Sequence, residues 1–237
     1  MLPRITGTID RRILLNYRAP VSVVQKILPE PFQVRSVNGY ALVGVCLIRF
    51  QSLRPAHIPA IMGISSENAA HRISIRWSDE QGTHTGVYVT RRDTNSAFVK
   101  LTGGRVFPGV HGRAMFDVDE SAEKVSIAIS DSQGVLVRLD GKKSDRFSSR
   151  VFSSHSEASL YFQDDRIGYS PARKDREVEG LQLNCHTWET SILRIDESFV
   201  REFSHWSAEI EFDHALIMHG IVHDWSEVPR ICCSEPQ

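Results

Sequence analysis

Apolar and polar positions alternate along most of this chain, which is typical of β-strands whose two faces are covered differently. The alternation predicts strands over Arg11 to Tyr17, His71 to Trp77 and Thr85 to Thr90. Further strands are predicted over Arg113 to Val118, Lys124 to Ile129, Val135 to Leu139, Leu181 to Ile192 and Ala208 to Phe212. Many strands separated by turn residues indicate a barrel or a pair of packed sheets.

Two short helices are predicted between the strands. Pro20 suits the first turn of a helix because its φ is fixed, so a helix is expected over Val21 to Leu28. Ser154-His155-Ser156-Glu157 resembles a capping box and predicts a second helix over Glu157 to Phe162. The chain is therefore expected to be mainly β with little helix.

A tight turn is the strongest local signal in the first quarter of the chain. Asn38-Gly39 lies between two β-rich runs, Phe32 to Val37 and Tyr40 to Phe50. This dipeptide is favoured in two-residue hairpin turns because both positions need a positive φ. A hairpin is therefore predicted here.

Size and composition are those of one globular domain. The chain has 237 residues, 41% of them hydrophobic and 24% charged, so a single domain over 1–237 is expected, with a sizeable core. Lys and Arg total 28 against 29 for Asp and Glu, so neither a nucleic acid nor an acidic membrane surface is an expected partner.

Targeting and cysteine patterns favour a cytoplasmic protein. The N-terminus lacks the apolar stretch of a secretory signal, and the longest apolar run, Tyr40 to Ile48, is too short to span a bilayer. No zinc-type spacing exists among the cysteines, so reduced thiols are expected. They are Cys46, Cys185, Cys232 and Cys233.

Several segments resemble the acetoacetate decarboxylase superfamily. Asn16-Tyr17-Arg18-Ala19-Pro20 and Leu28-Pro29-Glu30-Pro31-Phe32 are similar to its strand, short helix and turn, and Phe212-Asp213-His214-Ala215 follows in matching order. Ser66-Glu67-Asn68 falls where the decarboxylases carry a catalytic glutamate. The resemblance implies an α+β, predominantly β fold, a mixed barrel or cone with a few short helices around a ligand cavity.

A closer resemblance is to the uncharacterised YqjF-like branch, over about residues 5 to 230. This resemblance implies that the protein forms a homo-oligomer, as such proteins often do. It does not imply a known reaction. The matching segments are Ser66 to Arg72, Gly86 to Val89, Arg91 to Thr94, Gly103 to His111 and Gly168 to Pro171.

The residues of imine chemistry are missing. Where the decarboxylases carry paired lysines after an aromatic-proline step, this chain has Gly109 and Val110. Imine formation needs one lysine and a neighbouring cation that lowers its pKa. A Schiff-base decarboxylase is therefore not expected, although Lys100 is left open as a substitute. No phosphate-cradling loop follows Gly103-Gly104, and no cofactor is expected.

Acid–base residues are expected at the cavity. Alternation places His71 on the apolar face of its strand, which is the better candidate for the interior. Glu67, His71 and His111 are the predicted catalytic groups. Glu67 or His71 would be the acid or base, and the Glu67 carboxylate could also orient an imidazole. The alternatives are core histidines bonded to the backbone, or a metal site of two imidazoles and one carboxylate.

Arginine and aromatic side chains are the predicted substrate contacts. A guanidinium suits a carboxylate, so Arg105 and Arg113 are candidates for holding an anion. The run Arg91-Arg92-Asp93 is expected instead to be a local ion-paired turn at a solvated strand end. The aromatic candidates are Tyr88, Phe107 and Tyr169.

The prediction is an enzyme that performs acid–base chemistry on a small carboxylic or keto acid without an imine. The alternatives are a protein of the same fold that binds a small molecule without catalysis, and an oligomeric scaffold with no internal ligand.

Overall fold

A computed structural model describes residues 4–97, 108–172 and 177–233, and most of them lie in one mixed sheet of 13 strands. The strands are β1 Ile5–Pro20, β2 Gln33–Val34, β3 Tyr40–Pro55, β4 Ile64–Asp79, β5 Gly82–Thr94, β6 His111–Arg113, β7 Met115–Glu120, β8 Lys124–Asp131, β9 Gly134–Ser144, β10 Ile167–Pro171, β11 Glu177–Cys185, β12 Ser191–Val200 and β13 Glu211–Cys232. The described helices are α1 Val21–Gln25, α2 His155–Asp164 and α3 Arg201–Trp206, with a 3-10 turn at Ala60–Met62.

Part of the sheet closes on itself. The order β1-β3-β4-β5-β10-β11-β13 is completed by pairing between β13 and β1, which makes a closed ring of strands. The sheet then continues from β13 through β12, β9, β8 and β7. The predicted, predominantly β class is confirmed, but the sheet is a ring with a long extension and not a clean barrel.

Both faces of the ring strands are buried. One cluster contains Ile13 and Ile73 with residues of β8, β9 and β12, so the sheet extension covers that face. The other contains Leu14 and Phe50 and is covered by α2 through Phe162. Alternating side chains of one strand therefore enter two separate cores.

The turn at Asn38-Gly39 forms as predicted, but the predicted hairpin does not. Asn38 and Gly39 have φ of 48° and 84°, and Val37 bridges to Tyr40 across the turn. The strand before the turn, β2, pairs with β4 instead of β3. The reason is that β3 already pairs with β1 on one side and β4 on the other.

The end of the chain differs most from the prediction. The run Leu181 to Ile192 is divided between β11 and β12, and the short strand expected at Ala208 to Phe212 is the start of the 22-residue β13. This strand follows β1 along nearly all of its length and reaches β11 and β12 on its other edge. It is the strand that closes the ring.

The helices are close to their predicted places. Ser154 caps α2 by accepting a 3.2 Å hydrogen bond from the Glu157 N–H, and the helix runs to Asp164. The first helix ends at Gln25, earlier than predicted. No described helix combines the length and apolar character needed to cross a bilayer.

Candidate functional site

Neighbouring strands align four residues on one face of the ring. Cys46 of β3 pairs with Ala70 of β4, Ala70 pairs with Arg92 of β5, and Arg92 pairs with His111 of β6. Paired residues of adjacent strands project to the same side of a sheet. We call this side the cavity face, and the other side the opposite face.

A cavity of about 50 Å³ lies against the cavity face, enough for roughly four water molecules. Mostly apolar side chains form its walls, and a few polar groups face it, as is usual for a small-molecule site. Its lining consists of Ile48, Phe50, Leu53, Asn68, Ala69, Ala70, Arg92, Asp93, Thr94, His111 and Trp225.

Arg92 is held in a fixed orientation at this cavity. Its Nε donates to the Pro108 carbonyl at 3.0 Å, and Nη2 donates to Ser170 Oγ at 3.3 Å. Burial lowers the pKa of Arg92 to about 10, so the side chain is still charged at pH 7. The ion pair expected within Arg91-Arg92-Asp93 joins Arg91 to Asp93, but Asp93 is buried and not solvated, and Arg92 projects to the other side of the sheet, where it lines the cavity.

Two more arginines are buried on the cavity face. Arg12 donates from Nε to Cys46 Sγ at 3.2 Å and stacks over Trp188 at 5.5 Å. Arg72 donates to the side-chain oxygen of Asn16 and lies 4.7 Å from the ring centre of Phe162. Burial lowers the pKa of Arg72, and nearby Cys46 opposes this shift, as it does for Arg92. All three guanidiniums therefore lie near one thiol.

Asp165 is a carboxylate near this arginine group, since it lines a second small cavity together with Arg12. It accepts from Arg35 at 2.8 Å and from Ser74 Oγ at 3.0 Å. Burial raises the pKa of Asp165 to about 6, although Arg35 and Arg72 oppose that shift. Within the described ranges, no carboxylate oxygen lies within 4.0 Å of Arg12, Arg72 or Arg92. The cavity face therefore carries excess positive charge.

Glu67 lies on the opposite face, away from the cavity. Its two carboxylate oxygens each accept a 2.6 Å contact, one from Arg11 and one from Arg49. Glu120 contacts the same two arginines at 2.9 Å. Arg11 is only 1% exposed, so this network provides the counter-charge of a buried cation. Glu67 therefore has a structural role as an ion-pair partner, and it lies on the other side of the sheet from His111.

His71 is also on the opposite face. Glu202 of α3 lies 2.6 Å from its Nδ1, and Asp93 lies 3.5 Å from its Nε2. Burial opposes protonation, but these two carboxylates raise the pKa of His71. His71 was expected inside the cavity because its strand face is apolar. That face packs against Phe203 and the sheet extension instead.

The predicted aromatic and arginine contacts are scattered. Tyr88 and Tyr169 pack around Phe32 on the opposite face, and the Tyr169 hydroxyl donates to a backbone carbonyl. Arg113 is exposed at the end of β6. The last predicted contacts, Arg105 and Phe107, and the open candidate Lys100 lie outside the described residues. Of the predicted catalytic groups, the structure places only His111 at the cavity.

The backbone at Gly109 excludes a side chain there. Gly109 has a φ of 107°, and a Cβ would lie 2.8 Å from Ser170 Cβ and 3.1 Å from its Oγ. Both the conformation and the space demand glycine. Val110, at the second lysine position of the decarboxylases, is 60% exposed. This local structure is incompatible with a lysine pair beside Arg92.

The metal alternative finds no support in the geometry. Within 4–97, 108–172 and 177–233, no group of three or more His, Cys, Asp or Glu side chains could hold an ion. Glu67 and His71 are occupied by arginine and carboxylate partners, respectively, and His111 lies on the other side of the sheet.

Comparison with known families agrees with this fold. Residues 6–167 match the DUF2071 family model, described as an uncharacterised conserved protein. The chain belongs to this family. No functionally curated protein matches it. The expected match to an uncharacterised family is confirmed.

Several solved structures share the fold of the DUF2071 chain at low identity, so the expected acetoacetate decarboxylase-like fold is confirmed. An acetoacetate decarboxylase from Legionella pneumophila has a TM-score of 0.64 and 9% identity, covering 98% of this chain and 87% of that one. An acetoacetate decarboxylase-like enzyme from Sphingomonas wittichii has a TM-score of 0.59 and 13% identity, and the match covers 99% of this chain and 94% of that one. The enduracididine biosynthesis enzyme MppR complexed with pyruvate has a TM-score of 0.58 and 10% identity, and the match covers 99% of this chain and 91% of that one.

Proposed function

We propose that this protein binds a small carboxylic or keto acid in the cavity, with Arg92 holding the carboxylate. The observation that carries the proposal is that Arg92 lines a mostly apolar cavity and has no carboxylate partner within the described ranges. A partly buried charge without a counter-charge is costly, so an anionic ligand would stabilise the site.

The contacts of Arg92 suit this role. Pro108 and Ser170 take two of its donor nitrogens and fix the plane of the guanidinium. The remaining N–H groups can reach a carboxylate, and charge-assisted hydrogen bonds are stronger in a poorly solvated site. Pyruvate in the complex with MppR is an acid of this class in a protein of similar fold, although identity is 10%.

A second candidate function is proton transfer on the bound acid. His111 lines the same cavity as Arg92, and an imidazole is the side chain best suited to move a proton near pH 7. It could remove a proton from the carbon next to a carbonyl while Arg92 holds the carboxylate. Such chemistry needs no imine, and neither Glu67 nor His71 is required for it.

Pyruvate provides one test of both functions. Binding is measured by calorimetry, and exchange of its methyl protons in D₂O is followed by proton NMR. We expect Arg92→Gln to weaken binding by roughly tenfold or more, because a charged hydrogen bond is lost. We expect His111→Gln to keep binding and lose exchange.

The outcomes separate the two candidates. Binding that depends on Arg92 without any exchange means a binding protein. Exchange that survives His111→Gln removes His111 from the chemistry. Pyruvate affinity that is unchanged in Arg92→Gln contradicts the binding proposal itself. Arg194→Gln is the matched control, because Arg194 is 54% exposed and lies away from the cavity.

We also propose a homo-oligomer in the cytoplasm. Large apolar side chains at Ile61, Met62 and Met115 are 94%, 68% and 71% exposed, and a second copy could cover them. The four cysteines are free thiols, which suits a reducing compartment. Light scattering after gel filtration measures the assembly, and a monomer would contradict this part.

A further inference from the structure

The cavity face carries more positive charge than one carboxylate can balance. Arg12, Arg72 and Arg92 all lie on it, and in the described chain their partners are a thiol, an amide oxygen, a carbonyl and a hydroxyl. On the opposite face, by contrast, Arg11 and Arg49 share two glutamates. The same residue type is therefore neutralised on one face only.

Arg72 has a donor that nothing satisfies. The residue is 4% exposed, and its Nε is buried without a hydrogen-bond partner among the described residues. Buried polar groups in folded proteins nearly always have a partner, so an orphaned guanidinium N–H is a mark of a missing acceptor. That acceptor would have to come from outside the described chain.

Arg12 borders a second space on the same face. A cavity of about 20 Å³, roughly one water molecule, is lined by Arg12 with Phe162, Gln163, Asp165, Arg166, Leu183, Cys185 and Trp188. Arg72 lies 4.7 Å from the ring of Phe162, which lines this second space, and Cys46 bonds to Arg12 and is aligned with Arg92 through Ala70. The three guanidiniums thus form one group with Arg92 at the larger cavity.

The available carboxylate does not balance this group. Asp165 is already paired with Arg35 and bonded to Ser74. A monoanion at Arg92 would leave Arg12 and Arg72 without a counter-ion. Two buried cations in a region of low polarity favour a second negative charge strongly.

We propose that the ligand is a dianion with two separated anionic groups. One group binds Arg92 and faces His111, and the second binds Arg12 and Arg72 beside Cys46. The chemical class is a short dicarboxylate or a short acid with a phosphoryl-type group. This inference rests on the proposed function, because it assumes that Arg92 holds an anion.

Three probes of similar length test it by calorimetry at fixed ionic strength. Succinate carries two carboxylates, 3-phosphonopropionate replaces one by a phosphonate, and succinamate replaces one by a neutral amide. We expect the dianions to bind roughly tenfold to a hundredfold tighter than succinamate, from the second set of charge-assisted hydrogen bonds. The stronger of the two dianions identifies the second group as carboxylate or phosphoryl-like.

Variants assign the two ends of the ligand. We expect Arg72→Gln and Arg12→Gln to lower the ratio of dianion affinity to succinamate affinity at least several-fold. Arg72→Lys keeps the charge and should keep part of the preference. Arg92→Gln should weaken all three probes. Thermal melting establishes that each variant is folded, and Arg194→Gln controls for the loss of one exposed arginine.

Failure of the inference is distinguishable from failure of the proposed function. If succinate and succinamate bind equally, or if Arg72→Gln and Arg12→Gln leave the ratio intact, the dianion is overturned while an Arg92-dependent monoanion site stands. If no probe binds, or if binding ignores Arg92→Gln, the proposed function falls and the dianion falls with it.

Discussion

Replacing Glu67 by Gln tests the division of the ring into a cavity face and an opposite face. The Glu67 carboxylate bridges Arg11 and Arg49, with both contacts at 2.6 Å. It is 13% exposed, and Arg11 beneath it is 1% exposed. The substitution removes one negative charge and sets an amide N–H₂ against a guanidinium N–H, so at least one of the two contacts is lost.

The size of the effect follows from the charges that remain. Removing one partner of a buried ion pair costs about 3–5 kcal/mol when the other charge is left alone. Here Glu120 still contacts both arginines at 2.9 Å, so neither cation is abandoned. We therefore expect Glu67→Gln to lower the free energy of unfolding by about 2–3 kcal/mol, below that range.

Urea unfolding followed by circular dichroism measures this loss at pH 7. The control is Glu197→Gln, since Glu197 is 64% exposed and only 4.0 Å from a half-exposed Arg138. Such a surface pair contributes at most about 1 kcal/mol, so the control should change little. Succinate and pyruvate affinity should be the same in Glu67→Gln as in the unchanged protein.

Two results would refute this reasoning. A loss as small as that of Glu197→Gln would mean that the buried network does not stabilise the fold. A folded, stable Glu67→Gln protein that no longer binds or exchanges pyruvate would mean that Glu67 acts at the ligand. In that case the structural assignment of Glu67 to the opposite face would not describe the working site.

Three further predictions follow from other parts of the molecule. Gly109→Ala should lower the melting temperature by several degrees, because a Cβ would overlap Ser170 at a positive φ, whereas Gly134→Ala, with a φ of 107° and open space, should cost less. His71 has a raised folded pKa, so its stabilisation is complete below about pH 6.5 and is lost as pH rises through that pKa; His71→Gln should remove this part of the pH dependence in urea unfolding. Trp225 lines the cavity, so succinate should change tryptophan fluorescence, and Trp225→Phe should reduce the change, leaving the part that comes from Trp188 beside Arg12.

Much of the fold is predictable because alternation is a local property. Apolar and polar residues alternate with a period of two in the segments that form β4, β5, β8 and β9. Each of these strands contains the predicted span. The long β13 was missed because Asp213 to Met218 are all buried, so this part of the strand shows no alternation of apolar and polar residues. Strand pairing is not local, and so the partner of β2 could not be read from the turn at Asn38-Gly39.

The candidate site was less predictable, because alternation separates two faces without saying which one borders a cavity. On β4, His71 looked like the interior residue and Arg72 like a solvated one, yet they are 1% and 4% exposed. The sheet extension that buries the face of His71 comes from β8, β9 and β12, more than 50 residues away. The sequence did contain a sign of this arrangement. Arg72 and Ser74 are polar residues on one face of β4, and in a strand that is buried on both faces such residues indicate a polar interior.

Arg11 and Arg12 show what the sequence could not reveal. They are neighbours in one apolar strand, they are 1% and 8% exposed, and they project to opposite faces. Arg11 has carboxylate partners brought by β4 and β7, while Arg12 has a thiol and an aromatic ring. An apolar side chain in place of Arg12 would avoid the cost of burying a charge. An anion bound between the cavity-face arginines would offset this cost. The dianion experiment therefore tests why an arginine is buried at position 12 as well as the identity of the ligand.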